Sequence, residues 1–174
     1  LEWSIDAFTF SMPVVAAPMG LVGCPESAIA LGKLGGLGVL NLEGLWTRYD
    51  DAEKVLAEIS QVDPQVATPL LQKLYQEPIK PELIRQRLDE IREAGVPVAG
   101  ALSPQRTREF SDVVISAGVD LFVIRGTTVS AERVSSNREP LNLKEFIYQL
   151  DVPVIAISQL NRGLESRTDK RPLM

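Results

Sequence analysis

Short runs of apolar residues, separated by longer amphipathic stretches, set the pattern of the chain. The runs are rich in valine, isoleucine, leucine and alanine and do not alternate with polar residues, which is typical of parallel strands covered on both faces. The five strands that this pattern predicts are Val14–Ala17, Leu37–Leu40, Val96–Ala101, Leu121–Ile124 and Val152–Ile157.

The stretches between these runs have the length and the spacing of helices. Pro81–Ala94, for example, has proline in its first turn, carries one apolar stripe and ends at Gly95. The predicted helices are Pro25–Leu34, Asp51–Gln61, Pro81–Ala94, Thr107–Ala117 and Leu143–Leu150, with an extra helix or loop at Ala67–Tyr75. Strand and helix therefore alternate, which indicates right-handed β-α-β units, a parallel sheet of five strands in sequential order and helices on the outside.

Composition narrows the class of protein further. The 174 residues are 45% apolar and 24% charged, which is ordinary for one globular domain but short for a complete eight-stranded β/α barrel of about 250 residues. A net charge of −5 does not favour nucleic acid or an anionic membrane as a partner. No apolar run reaches the ~18 residues of a membrane span, and no secretory leader opens the sequence. We therefore expect a cytoplasmic protein.

The absence of histidine removes several kinds of site at once. Serine–histidine, cysteine–histidine and histidine–metal chemistry all need that residue, so no metal site and no such catalytic residues are predicted. Cys24, the one cysteine, excludes an internal disulfide. Basic residues, which lower the pKa of reactive thiols, are not close to it in sequence, so an inert thiol is favoured over a reactive one.

Two glycine-containing segments are candidates for ligand binding. "GGLGVLN" (35–41) precedes a predicted strand, whereas a dinucleotide loop follows one, so it is interpreted as a tight turn. "RGTT" (125–128) follows the fourth predicted strand and so falls at the carboxyl end of the sheet, where parallel α/β folds bind their ligands. Two interpretations of this segment stand side by side: an anion-binding site and a solvated loop.

Four segments resemble one known family. They are "PVVAAPMG" (13–20), "LGKLGGLGVLNLEGLWTRYDD" (31–51), "YQEPIKPELI" (75–84) and "SAGVDLFVIRGTTVSAERVS" (116–135). Together they resemble the IMP dehydrogenase / GMP reductase superfamily, in its IMP dehydrogenase-related branch, over residues 3–155. The resemblance implies an α/β fold that is part of a (β/α)8 TIM-type barrel, with about five parallel strands and outer helices.

The resemblance also implies ligands and a chemistry. Met19 matches the methionine that lines the purine pocket, and Arg125, Gly126 and Thr127 occupy the position where dehydrogenases contact the nicotinamide nucleotide. The implied cofactor is NAD or NADP, and the implied substrate is a purine nucleotide. The superfamily's cysteine nucleophile lies on the loop after the sixth strand. Since the likeness stops at the fifth, we expect no catalytic residue here and no turnover by this chain alone.

The end of the chain resembles a different family. "VPVIAISQLNRGLESRTDKRPLM" (152–174) is similar to a segment of replicative hexameric helicases, in which a Ser-Gln pair, here Ser158 and Gln159, ends a strand and its glutamine senses nucleotide phosphate. The chain thus has the form of a chimera, with a partial barrel over 1–158 and a basic tail over 159–174. No Walker A sequence occurs, so a helicase-related nucleotide-binding fragment is the weaker alternative.

An incomplete barrel also predicts self-association. Its first and last strands would each have an unpaired edge, and its barrel-facing apolar surface would be exposed. We expect a homo-oligomer, most simply a two-fold dimer, with Pro153 as the one residue that blunts the edge of the last strand. The alternative is a monomer in which residues 159–174 cover that edge. A non-enzymatic α/β domain that self-associates is accordingly the second functional hypothesis.

Overall fold

The structure, a computed structural model, describes residues 2–126, 143–150 and 152–158. The strands in these residues are β1 (Trp3–Ile5), β2 (Phe8–Phe10), β3 (Leu40–Asn41), β4 (Ala99–Leu102), β5 (Leu121–Gly126) and β6 (Val154–Ser158). The α-helices are α1 (Pro25–Lys33), α2 (Ala52–Ser60), α3 (Pro64–Leu74), α4 (Pro81–Glu93), α5 (Pro104–Ser116) and α6 (Leu143–Leu150), with a 3₁₀ turn at Leu45–Thr47. The predicted tail over 159–174 lies outside the described residues.

A parallel sheet in the sequential order β3-β4-β5-β6 forms the centre of the fold. Phe122 lies opposite Val154 and Ile124 opposite Ala156, so the predicted parallel pairing of the last two strands is confirmed. The prediction of an α/β fold with a parallel sheet and outer helices is confirmed with it.

The first predicted strand, Val14–Ala17, is reduced to one parallel bridge between Val15 and Leu37. The Leu37 N–H donates to Val14 and its carbonyl accepts from the Ala16 N–H, both at 2.9 Å. Pro18 would be the next residue to face this ladder after Val14 and Ala16 and supplies no N–H group, which explains why the ladder does not extend past Ala16. In the part of the chain that the structure describes, four of the five predicted strands therefore form the parallel sheet, and a single bridge stands in place of the first.

The second predicted strand, Leu37–Leu40, is shifted towards its carboxyl end, since regular pairing occurs only at Leu40–Asn41. Gly38 lies in the irregular part, where a Cβ atom would overlap the backbone of Ala28. The close approach of α1 to this segment thus depends on glycine.

Capping residues account for where the helices begin. α3 starts three residues before the predicted Ala67, because Asp63 accepts a hydrogen bond from the Gln65 N–H at 2.9 Å and Pro64 occupies the first turn. α5 starts at Pro104, ahead of the predicted Thr107, with proline in its first turn and no side-chain capping bond from Ser103. The outer face of the sheet packs on the helices in one core, which includes Leu40, Leu88, Leu102, Val114, Phe122 and Phe146.

An antiparallel hairpin, β1–β2, covers the other face of the sheet and was not predicted. Its Trp3 and Phe10 rings stack 4.5 Å apart, and the Trp3 Nε1–H donates to the Met12 carbonyl at 2.9 Å. The hairpin packs on a second core, formed by Phe10, Leu37, Val39, Ala99, Ala101, Leu121 and Val123. The hairpin therefore covers the barrel-facing surface over β4 and β5 with aromatic side chains, while Val15 and Ile157 remain 40% and 39% exposed.

Candidate functional site

A hydrogen bond between two strands defines a site at the carboxyl edge of the sheet. Arg125, near the end of β5, donates through Nη2 to Oδ1 of Asn41 at the end of β3, at 3.0 Å. Ala101 of β4 lies opposite Asn41 and Val123 in the register, so a small side chain separates the two strands that the bond joins. Asn41 is 3% exposed, and the Glu43 N–H donates to the same oxygen at 2.9 Å. Asn41 is thereby fixed as an acceptor for the guanidinium.

The bond to Asn41 does not use all the hydrogen-bond donors of Arg125. Its Nε is buried and has no hydrogen-bond partner among the described residues. A buried donor that lacks an acceptor costs free energy, and more so when it belongs to a charged group. An acceptor oxygen from a ligand would remove that cost, and an anionic oxygen would also pair with the charge.

Tyr75 and Gly20 bring the loop after the first predicted strand to the same edge. A Cβ atom on Gly20 would overlap Oη of Tyr75 and would lie 3.4 Å from Nδ2 of Asn41. A side chain at position 20 would therefore displace the Tyr75 hydroxyl from this contact. Met19, the neighbour of Gly20, is 57% exposed. The predicted purine-pocket residue thus lies on the loop that reaches Asn41.

Arg48 holds Tyr75 in place. It donates through Nε to the Glu43 carbonyl at 3.2 Å and through Nη1 to the Glu77 carbonyl, and its guanidinium lies 5.3 Å from the centre of the Tyr75 ring. Burial, followed by the charge of Arg106, lowers the pKa of Arg48 from its ordinary value. The site therefore contains a second, largely buried guanidinium. Within the described residues, its contacts hold the Tyr75 ring and the neighbouring backbone carbonyls in place.

Burial raises the pKa of the Tyr75 phenol above its ordinary value of 10.0, and the charges of Arg48 and Arg125 oppose that rise. Tyr75 is thus expected to be a neutral hydroxyl over the whole physiological range. As such it can donate one hydrogen bond and accept another at the edge of the site.

An ultraviolet difference titration should detect this phenol. Subtracting the Tyr75→Phe spectrum from that of the parent chain should leave one tyrosinate transition with a midpoint above about 10. Since the folded pKa is raised, stability from this group is present below pH 10 and is lost as the pH rises through the folded pKa. The same subtraction with Tyr148→Phe, at a residue 80% exposed, is the control. A Tyr75 midpoint at or below 10 would contradict the buried geometry.

Three of the four predicted site residues lie in the part of the chain that the structure describes. Arg125 and Gly126 end β5 at the carboxyl edge, Met19 lies on the neighbouring loop, and Thr127 falls outside the described residues. Asn41 and Tyr75 were missed. Asn41 could have been found by the rule that selected Arg125, because it directly follows an apolar run at the same sheet edge. Tyr75 carried no such signal, since it follows a helix.

Cys24 has a structural role in the described geometry. It is the N-cap of α1, where its sulfur accepts from the Ser27 N–H at 3.3 Å and the Ser27 hydroxyl accepts from the Cys24 N–H at 3.1 Å. Neither contact involves the Arg125–Asn41 pair. Within 2–126, 143–150 and 152–158, no cluster of three or more acidic or cysteine side chains could hold a metal ion. In the same residues, no helix has the length and apolarity needed to cross a bilayer.

Comparison with known proteins shows that most of the chain is similar to a group of oxidoreductases. An uncharacterized oxidoreductase of Mycolicibacterium smegmatis is 48% identical over 159 residues, covering 88% of this chain and 42% of that protein. One of Mycobacterium tuberculosis is 49% identical with the same coverage of both chains. The crystal structure of an IMP dehydrogenase/GMP reductase-like protein from Corynebacterium glutamicum matches with a TM-score of 0.83 and 42% identity, covering 95% of this chain and 45% of that one.

The carboxyl-terminal part matches a second family. Residues 123–174 fit the family described as DnaB-like helicase C terminal domain. A replicative DNA helicase of Mycobacterium intracellulare is 45% identical over 49 residues, covering 28% of this chain and 8% of that protein. The match begins inside β5, earlier than the predicted start at Val152.

Both predicted resemblances are therefore confirmed. Most of the chain is similar to IMP dehydrogenase/GMP reductase-like proteins, and its end is similar to replicative helicases. The chain spans less than half the length of the oxidoreductases that it matches.

Proposed function

We propose that the chain is the nucleotide-binding section of an oxidoreductase barrel, and that the 174 residues bind NAD, NADP or a purine nucleotide without turning it over. The names of the oxidoreductase relatives and of the IMP dehydrogenase/GMP reductase-like structure support the class of ligand. The single free cysteine fits a reducing cytoplasm as its location. Arg125 and Gly126 would contact phosphate oxygens, with Thr127 joining them by the resemblance, and Met19 would lie against the base.

The observation that carries the proposal is the state of Arg125. Its Nη2 is engaged by Asn41, whereas its Nε is buried and lacks a partner among the described residues. A guanidinium fixed on one side and unsatisfied on another is arranged for an oxygen acceptor, and phosphate or pyrophosphate supplies one with negative charge. Its position at the carboxyl ends of parallel strands is where ligands bind in this class of fold.

The residues present fit a nicotinamide nucleotide. NAD or NADP would supply a hydride acceptor when bound. The chain's own groups would do the binding: the Arg125 guanidinium would pair with phosphate, the Tyr75 hydroxyl would donate or accept a hydrogen bond, and the exposed Met19 side chain would cover apolar ring surface.

Replacing Arg125 by alanine should weaken nucleotide binding by about tenfold to a hundredfold, because a charge-assisted hydrogen bond of ~1.5–3 kcal/mol is lost. Isothermal titration of IMP and of NAD into the purified chain measures this. Arg125→Lys, which keeps the charge but lacks the planar fork, should recover part of the affinity. Arg85→Ala removes an exposed arginine that bonds Ser116 and should leave binding unchanged.

Two results would contradict the proposal. One is an unchanged dissociation constant in Arg125→Ala, and the other is the lack of any heat of binding in the parent chain for either ligand. A circular dichroism melt of each variant separates lost binding from lost fold.

The second candidate function, a self-associating α/β domain without catalysis, is favoured by one observation. Among the described residues, β6 pairs with β5 on one side and with no strand on the other.

A further inference from the structure

The two ends of the sheet differ in how well they are protected against further pairing. At the β6 end, the carbonyl of Pro153 accepts from the Phe122 N–H at 2.9 Å, and Ile155 lies opposite Val123. Along a parallel strand, successive residues direct their backbone groups to opposite sides. The backbone groups of residues 153, 155 and 157 therefore face β5, and those of 154, 156 and 158 face away from it.

Pro153 consequently does not protect the free edge. Its missing N–H is on the side of β5. Within residues 2–126, 143–150 and 152–158, no strand pairs with the outward donors and acceptors of Val154 and Ala156. The expectation that Pro153 blunts this edge is wrong for that reason.

The opposite end of the sheet is protected. Val14 and Ala16 bond Leu37, so Pro13 and Val15 face away from the sheet. Pro13 offers no N–H on that outer side, which is the standard way in which an edge is made unsuitable for pairing.

The surroundings of β6 suit an uncharged partner surface. Val154–Ser158 contains no charged residue, so two copies can meet there despite the net charge of −5. Ile157 is 39% exposed, and the preceding helix α6 exposes Ile147 and Tyr148. The hairpin β1–β2 covers the inner face of the sheet over β4 and β5, so among the described residues the edge at β6 is the more open surface for association.

We propose that strand β6 pairs, antiparallel, with β6 of a second copy of this chain, so that two sheets join across a two-fold axis. A two-fold contact brings the same strand from each copy together in opposite directions, which an unprotected and uncharged edge permits. In the oxidoreductase relatives more than half of the chain lies outside the matched part, whereas here the sequence after β6 matches another family. In place of a following strand from the same chain, the second copy would supply its own β6, in antiparallel orientation.

Sedimentation velocity of the full 174-residue chain across a concentration series tests the proposal. The parent chain should show a monomer–dimer equilibrium. Ala156→Pro, which removes one outward N–H from each copy, should raise the dissociation constant of the dimer at least about tenfold. Ala156→Val keeps that N–H and favours extended backbone, so it should leave the constant within about twofold of the parent.

Hydrogen exchange gives a second test that needs no variant. In the dimer, the amides of Val154 and Ala156 should be protected, and dilution should remove that protection while Ile155 and Ile157 stay protected by β5. A monomer at every concentration would overturn the proposal, as would a dimer that Ala156→Pro does not weaken. Protection of Val154 and Ala156 that is independent of concentration would overturn it too, in favour of residues 159–174 as the cover.

Discussion

Replacing Phe122 by alanine is expected to lower the free energy of unfolding by about 3–5 kcal/mol, a large part of the 5–15 kcal/mol typical of a domain. Phe122 is fully buried in β5, and its ring meets that of Phe146 edge to face at 5.9 Å. The strand lies between β4 and β6, so removal of the ring would leave a cavity where the sheet joins the helical layer. Urea denaturation followed by circular dichroism measures the loss.

Two controls make this prediction specific. Phe122→Leu retains most of the volume and should cost less than about 1.5 kcal/mol. Val66→Ala, at an exposed position of α3, should stay within about 0.5 kcal/mol of the parent. A loss below 1 kcal/mol for Phe122→Ala would mean that β5 is not the central strand of a packed sheet.

No NADH is expected when the purified 174-residue chain is incubated with IMP and NAD, and no NADPH should be consumed with GMP. We expect a rate at least about 10⁴-fold below the ~10 s⁻¹ that is typical of enzymes. Covalent catalysis needs a positioned nucleophile, and the single cysteine, Cys24, caps α1 through its contacts with Ser27.

The near-ultraviolet absorbance of the reduced cofactor follows the reaction directly. Turnover by the 174 residues that disappears in Cys24→Ser would show that the argument from the position of this thiol is wrong.

Elements that one local signal determines are predictable from the sequence. The pairing of β6 with β5 follows from two uninterrupted apolar runs, and α4 follows from a proline start and a glycine stop. Elements that depend on distant contacts are not predictable in this way. Trp3 to Phe10 is a short aromatic stretch whose turn, at Asp6 with a positive φ of 51°, carries no glycine, and its burial depends on a sheet that begins some 30 residues later.

The candidate site likewise combines a residue with a local sequence signal and residues that only distant contacts bring together. Arg125 was selected because it ends an apolar run, and the structure places it at the predicted edge. Its partner Asn41 is 84 positions away, and Tyr75 reaches Gly20 from the end of an inserted helix. Such contacts are set by the strand register, which places the small side chain of Ala101 between the strands of Asn41 and Arg125, and a single sequence does not specify that register.

The most direct test of a nucleotide site at Arg125 is a nuclear magnetic resonance titration of the arginine Nε–H signals. The Arg125 signal is assigned by its loss in Arg125→Lys, and IMP or NAD is then added to the ¹⁵N-labelled chain. If nucleotide binds at Arg125, we expect this signal to shift and to saturate with added nucleotide, while the signal of Arg85 stays in place. An Arg125 signal that does not move as both nucleotides are raised to millimolar concentration would contradict it.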